Sequence, residues 1–276
     1  MDLIEWVTEN ASVVLALATT GCFAGVLAGL LGVGGGIVIV PVLFFLFQRF
    51  GVSPESAMSI ATATSLATII PTSLSSIRSH HRKGNVDFSL LKRWVFFIFL
   101  GVLGGSWLVT RMDGRWITLL FGIVATLASL NMLLRTGKAA LFQSLPSEGA
   151  QRAMSMMIGF LSSMVGIGGG TLSVPLLTLC NYPAHRAVGT ASAIGLLISF
   201  PGMLTMLILG VTPQDAPVGT FGLVNLLGFC CIVPLTVLCA PVGASLASRL
   251  DANRLKKVFS IMLFITGIRM LIQVVL

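Results

Sequence analysis

Apolar residues follow one another along this chain in runs of about 20 or more, separated by short polar stretches. The runs cover approximately residues 11–48, 57–77, 90–110, 116–135, 153–180, 188–210, 219–247 and 255–276. A helix of about 20 residues spans the hydrocarbon core of a bilayer, roughly 30 Å thick. Because only helices and closed barrels satisfy backbone polar groups in lipid, the pattern predicts an all-α integral membrane protein with eight membrane segments.

Composition agrees with this fold class and excludes several functions. The chain is 55% hydrophobic and only 9% charged, too apolar for a soluble domain. The net charge of +8 comes from short basic clusters between the apolar runs, which indicates lipid topology and no nucleic-acid partner. The first ten residues are acidic and lack the basic region of a signal peptide, so we expect the first segment to stay in the protein.

Glycine clusters interrupt the first and fifth segments at matching positions. GVGGG at 32–36 precedes Pro41 and GIGGG at 166–170 precedes Pro175, a constant offset of 134 residues. This indicates a tandem duplication, with a first membrane repeat at 1–138, a cytoplasmic linker at 139–150 and a second repeat at 151–276.

Basic residues favour an inverted pair of repeats. If each glycine-broken segment is a re-entrant hairpin, each half crosses three times, and 13 basic residues lie inside against four outside. Two full crossings would give nine against eight. We therefore expect inverted-topology repeats, each opening with a re-entrant helix, and an N-terminus outside the cell.

The glycine clusters also suggest a binding site. Irregular backbone at membrane depth must be buried in protein or line a polar cavity, and a helix that begins there points free N–H groups inward. The alternative is that the glycines only allow close helix packing. The candidate anion-binding residues are Gly34, Gly35, Gly36, Gly168, Gly169, Gly170 and Thr171.

Hydroxyl and basic side chains extend this hypothesis. Thr64 and Ser65, with Thr190 and Ser192 in the second half, could bind an oxyanion through neutral donors, although such side chains often bond their own helix. Near the predicted inner mouth, three residues could gate the path or sense pH, unless they form only a solvated basic loop. They are Arg78, His80 and His81.

Missing groups narrow the chemistry. All nine acidic residues fall in the N-terminus or loops, which argues against carboxylate-coupled cation transport. The five cysteines lack metal-binding spacing and suit small core positions. Without HExxH or a membrane-depth Asp pair, we predict no metal, no cofactor and no enzyme activity.

The motifs GLLGVGGGIVIVPVL, PTSLSSIRSHHRKGNVD, SSMVGIGGGTLSVPLL and HRAVGTASA resemble those of the sulfite exporter TauE/SafE family over nearly the whole chain. The resemblance implies a permease of the bacterial cytoplasmic membrane that exports sulfite or organosulfonates. Family members often read GTSL where this chain has ATSL at 63–66 and GTAS at 189–192.

Together these patterns predict alternating access between the repeats, with a small anion held near the midplane. Two alternatives stay open: a passive anion channel, and a membrane subunit that binds the anion without moving it. Beyond the anion and the lipid bilayer the sequence names no partner, and it leaves the oligomeric state open.

Overall fold

The computed structural model describes residues 11–32, 34–135, 142–246 and 252–275. These residues form ten helices and one short antiparallel hairpin, in which Thr220 pairs with Asn225. The elements are α1 Ala11–Leu31, α2 Gly36–Arg49, α3 Pro54–Arg82, α4 Phe88–Val109, α5 Gly114–Arg135, α6 Glu148–Val165, α7 Gly170–Leu179, α8 Ala184–Leu209, β1 Thr220–Phe221, β2 Val224–Asn225, α9 Leu226–Leu246 and α10 Ala252–Val275.

Five of these helices are long and apolar enough to cross a membrane: α3, α4, α8, α9 and the Gly114–Leu134 part of α5. Shorter apolar helical stretches occur in α1, α2, α7 and α10. The prediction of an all-helical membrane protein is confirmed. In the most apolar 18-residue window of α3, 83% of residues are buried, against 28% in α9, so α3 is central and α9 peripheral.

Two boundaries differ from the sequence prediction. The run expected at 219–247 begins with the hairpin, because Gly219 and Gly222 have φ of 80° and 55°. The Asn225 side chain then accepts a 2.8 Å hydrogen bond from the Gly228 N–H and caps α9. Residues 148–150, predicted as linker, form the first turn of α6, while 139–141 and the N-terminal ten residues lie outside the described residues.

Helices α1 and α9 run parallel and in close contact. A Cβ atom added to Gly25 would lie 2.6 Å from the Thr236 carbonyl oxygen, and one added to Gly29 would lie 1.9 Å from that of Ala240. Helices α4 and α6 meet in the same way, with Gly101 against Met156 and Gly105 against Phe160. Small residues thus bring together helices from different halves of the chain.

Helices α3 and α8 run antiparallel, as do α5 and α10. Along the first pair Leu66 faces Gly202, Ser73 faces Gly195 and Ser76 faces Ser192, so positions rise on one helix as they fall on the other. Along the second pair Gly122 faces Leu271 and Thr126 faces Gly267. The contacts between α3 and α8 form one continuous line, called the α3–α8 seam below.

Candidate functional site

The two glycine breaks meet beside the middle of the α3–α8 seam. A Cβ atom on Gly34 would lie 3.5 Å from the Gly168 Cα and 3.0 Å from Ile69 Cγ2, near the midpoint of α3. A Cβ atom on Gly169 would lie 2.4 Å from Ile194 Cγ2, near the midpoint of α8. Helices α2 and α7 therefore begin next to each other, halfway along the two antiparallel helices.

Neither helix start is capped by a side chain. Gly35 precedes α2 in the left-handed region with φ of 78°, whereas Gly169 precedes α7 with φ of −54°. Neither helix has an acidic residue in its first turn. Pro41 and Pro175 occupy the sixth position of their helices, so both breaks have the same register. The first N–H groups of a helix lack intrahelical partners, and with the helix dipole they attract an anion.

Buried hydroxyls without a hydrogen-bond partner lie close to the breaks. Among the described residues these include Thr62, Ser73 and Thr171, all at most 5% exposed. A Cβ atom on Gly195 would lie 3.1 Å from Ser73 Oγ and 4.0 Å from the Gly169 backbone nitrogen. Because an unpaired buried hydroxyl is unfavourable, these groups are suited to a polar ligand.

The four hydroxyls predicted for the site each have a protein partner. Ser65 Oγ donates a 2.7 Å hydrogen bond to the Gly166 carbonyl and ties α3 to the second break. Ser192 Oγ lies 3.0 Å from the Ser76 hydroxyl. Thr64 and Thr190 accept bonds of 2.9 and 3.0 Å from the backbone N–H groups of the residues that precede α9 and α4. These bonds hold the helices around the breaks.

The α3–α8 seam is lined by serines on one side of the breaks and mainly by apolar side chains on the other. Toward the C-terminal end of α3, Ser73, Ser76 and Ser192 are each at most 2% exposed. Toward the N-terminal end of α3, Leu66 and Met206 are fully buried, and a Cβ atom on Gly202 would lie 3.1 Å from Leu66 Cδ1. Serine hydroxyls therefore line the first half of the seam, whereas the second half is packed by apolar side chains apart from the Thr62 hydroxyl beside the second break.

His80 ends the polar half and is buried at 4% exposure, so the alternative of a fully solvated basic loop is wrong for this residue. Its Nε2 lies 3.0 Å from the Gly29 carbonyl oxygen of α1. A carbonyl oxygen only accepts, so Nε2 donates, and buried Nδ1 has no partner among the described residues. By contrast His81 is exposed and edge-on to Phe88, with ring centroids 5.4 Å apart.

Loops at the two ends of the seam are held by carboxylates. Asp87 caps α4, accepts hydrogen bonds from Ser89 and Tyr182, and lies 3.6 Å from the Arg186 guanidinium. Burial alone would raise the pKa of Asp87, but these donors and Arg186 lower it well below its usual range. Burial and the Asp87 contact raise the pKa of Tyr182 to about 12.

At the other end Asp215 accepts a 2.7 Å hydrogen bond from the Ser53 N–H, at the start of α3. Hydrogen bonds from Ser53 lower the pKa of Asp215 to about 2, against an opposing effect of burial. All the acidic side chains that the structure describes lie in loops or first helical turns.

The sequence profile of the family described as sulfite exporter TauE/SafE matches residues 17–270. The chain belongs to the TauE/SafE family. It is 30% identical to a probable membrane transporter protein of Haemophilus influenzae, over 94% of this chain and 98% of that protein.

Other relatives carry similar descriptions. A probable membrane transporter protein of Bacillus subtilis is 28% identical, with 93% of this chain and 97% of that protein covered. One of Methanocaldococcus jannaschii is 25% identical, with 93% and 94% covered. No solved structure matches. This TauE/SafE protein is thus a member of a membrane transporter family.

Sequence reasoning missed several residues beside the breaks of this TauE/SafE protein. Thr62 and Ser73 lie in hydroxyl-rich stretches of the sequence, but only the helix contacts distinguish them from their paired neighbours. The positions of Ser76 and Gly195 beside the site follow from the antiparallel register of α3 and α8, which no local sequence pattern predicts. The prediction that the five cysteines are core residues holds only for Cys180, since Cys22, Cys231 and Cys239 are half-buried and Cys230 is exposed.

Proposed function

We propose that this chain exports small sulfur oxyanions, either sulfite or organosulfonates, by alternating access. The observation that carries the proposal is the meeting of two uncapped helix starts, α2 and α7, beside buried hydroxyls without partners. The anion would be held by N–H groups at Gly34–Gly36 and Gly168–Thr171 and by the hydroxyls of Thr171, Ser73 and Thr62. An oxyanion has several acceptor atoms and suits such a set of donors.

The proposal includes two inverted repeats, at 1–138 and 151–276, in the bacterial cytoplasmic membrane with the N-terminus outside. A two-fold axis in the membrane plane makes equivalent helices antiparallel, and the directions of α3 against α8 and of α5 against α10 support it. The same axis relates the α1–α9 pair to the α6–α4 pair, and the helices within each pair run parallel.

The polar half of the α3–α8 seam is then the inner route to the site. Substrate would pass the basic mouth near Arg78, His80 and His81 and reach the breaks along Ser76, Ser192 and Ser73. In this conformation Leu66 and Met206 would close the outer half, and the buried serines of the inner half would have to separate before an anion enters. Outward movement of an anion down an inside-negative potential yields about 2.3 kcal/mol per charge per 100 mV, so no coupling ion is needed in principle.

The experiment is uptake of radiolabelled sulfite into proteoliposomes under a valinomycin-set potential, with sulfoacetate, thiosulfate and sulfate as competitors. Thr171→Val removes an unpaired hydroxyl with little change in shape. We therefore expect the variant to fold and to need a higher sulfite concentration for half-maximal uptake. Thr178→Val is the matched control on α7, because Thr178 bonds the Val174 carbonyl of its own helix.

Three results would overturn parts of this proposal. Equal transport kinetics in Thr171→Val and wild type would show that the Thr171 hydroxyl does not bind the anion. Non-saturating flux with ohmic single-channel currents would indicate a passive anion channel. Sulfite binding without flux would indicate a subunit that does not transport.

A further inference from the structure

A basic recess opens at the C-terminal end of α3, apart from the helix breaks. It has a volume of about 400 Å³, within the usual range for ligand sites. Hydrogen bonds from Lys83 Nζ to the Ala244 carbonyl and from Ser75 Oγ to the Val237 carbonyl, 2.7 and 3.0 Å long, join its walls on α3 and α9. Its lining residues are Ser75, Arg78, Ser79, Arg82, Lys83 and Pro241.

The cations of this basic recess have no carboxylate partner among the described residues. Among the described residues the ion pairs are Arg152–Glu148 and Arg186–Asp87, and neither pair lies in the recess. Arg78 and Arg82 are exposed and one helical turn apart, so both guanidinium groups can reach one anion. Guanidinium forks bind phosphate in bidentate geometry, and the Ser79 hydroxyl adds a donor.

Apolar side chains continue from the recess along the membrane-facing surface. Leu74 lies one turn before Arg78 on the same face of α3 and is 53% exposed. On α9, Leu238 and Val242 flank Pro241 and are 69% and 52% exposed. We propose that the basic recess binds the phosphodiester headgroup of an anionic phospholipid whose acyl chains lie against these three side chains. A free phosphate ion would make no use of the apolar surface.

This inference goes beyond the proposed function, and its test needs no transport. Native mass spectrometry of the full chain in detergent would titrate a long-chain phosphatidylglycerol, with phosphatidylcholine as the zwitterionic comparison. We expect wild type to retain phosphatidylglycerol selectively and R78Q/R82Q to bind it about 25-fold more weakly, since each cation near an anionic headgroup contributes about five-fold. The control K92Q/R93Q removes two exposed cations at the start of α4, outside the recess.

Selective loss in R78Q/R82Q, with K92Q/R93Q like wild type, supports the lipid site. Equal loss in both variants would overturn it, because net positive charge would then explain the binding. Displacement of the lipid by millimolar inorganic phosphate would also overturn it in favour of a free-anion site. A further decrease of lipid affinity in L238A/V242A, with unchanged thermal stability, is expected only if acyl chains contact α9.

Discussion

Replacing Gly36 with alanine should damage the site with a single methyl group. The new Cβ would lie 2.6 Å from the Gly166 carbonyl oxygen, 2.8 Å from Ile69 Cδ1 and 2.9 Å from Ser65 Oγ. Ile69 can rotate away, but the carbonyl belongs to the second break and the hydroxyl is already bonded to it. The methyl group must therefore separate α2 from the second break or displace Ser65.

The size of the effect follows from these contacts. Overpacking by one methyl group costs about 1–3 kcal/mol. Loss of the bond between Ser65 and Gly166 leaves a buried carbonyl unpaired, at about 1–3 kcal/mol, and the two terms overlap because they share atoms. If the strain falls on the transport-competent arrangement, sulfite flux should fall by about 5-fold to about 150-fold.

The assay is potential-driven sulfite uptake at matched protein density in proteoliposomes. Gly104→Ala is the control, because a Cβ atom on this α4 glycine would meet only Phe160, at 3.6 and 3.8 Å. We expect Gly104→Ala to transport like wild type. Normal flux in both variants would refute the reasoning, since the contact between the breaks would then have no role in transport.

Further variants address the hydrogen bonds and carboxylates around the breaks. Ser65→Ala should lower the free energy of unfolding by about 1–3 kcal/mol, because the Gly166 carbonyl loses its hydrogen-bond partner. Denaturation in detergent would measure this change. Asp87→Asn should weaken the link between α4 and the α7–α8 loop, and Tyr182→Phe should then add little, which a double-mutant cycle of unfolding midpoints would detect. The depressed pKa of Asp215 makes its hydrogen bonds stabilising above the unfolded value of about 3.9. This contribution should fade as pH falls from about 4 to about 2, and Asp215→Asn should flatten that part of a stability–pH profile.

The sequence predicted the positions of the glycine breaks and most helix boundaries because these depend on local composition. GVGGG and GIGGG interrupt their apolar segments, and α2 and α7 begin at the last glycine of each cluster. The roles of the hydroxyls were not predictable, since Thr64 and Thr190 are bonded by residues far along the chain. Local sequence indicates that a hydroxyl is present but not whether its partner is a helix start or a ligand.

Comparison of the two halves separates contacts that support the fold from contacts that differ between the routes. Thr64 and Thr190 are 126 residues apart. Each accepts a hydrogen bond from the backbone N–H of a helix-capping residue, Asn225 before α9 for Thr64 and Asp87 before α4 for Thr190. The same shift relates Ser76 to Gly202 and Leu66 to Ser192. A hydroxyl pair on one side of the breaks therefore corresponds to a leucine against a glycine on the other.

This difference bears on the direction of transport. A scaffold with equivalent supporting contacts in both halves gives its two access states similar energies, so a small asymmetry can favour one. In this structure both halves of the seam are closed, since Ser76, Ser192 and Leu66 are each at most 2% exposed. We expect the polar half to open more readily, because separating Ser76 from Ser192 exposes hydroxyls that water can hydrogen-bond, whereas separating Leu66 from Gly202 exposes apolar surface.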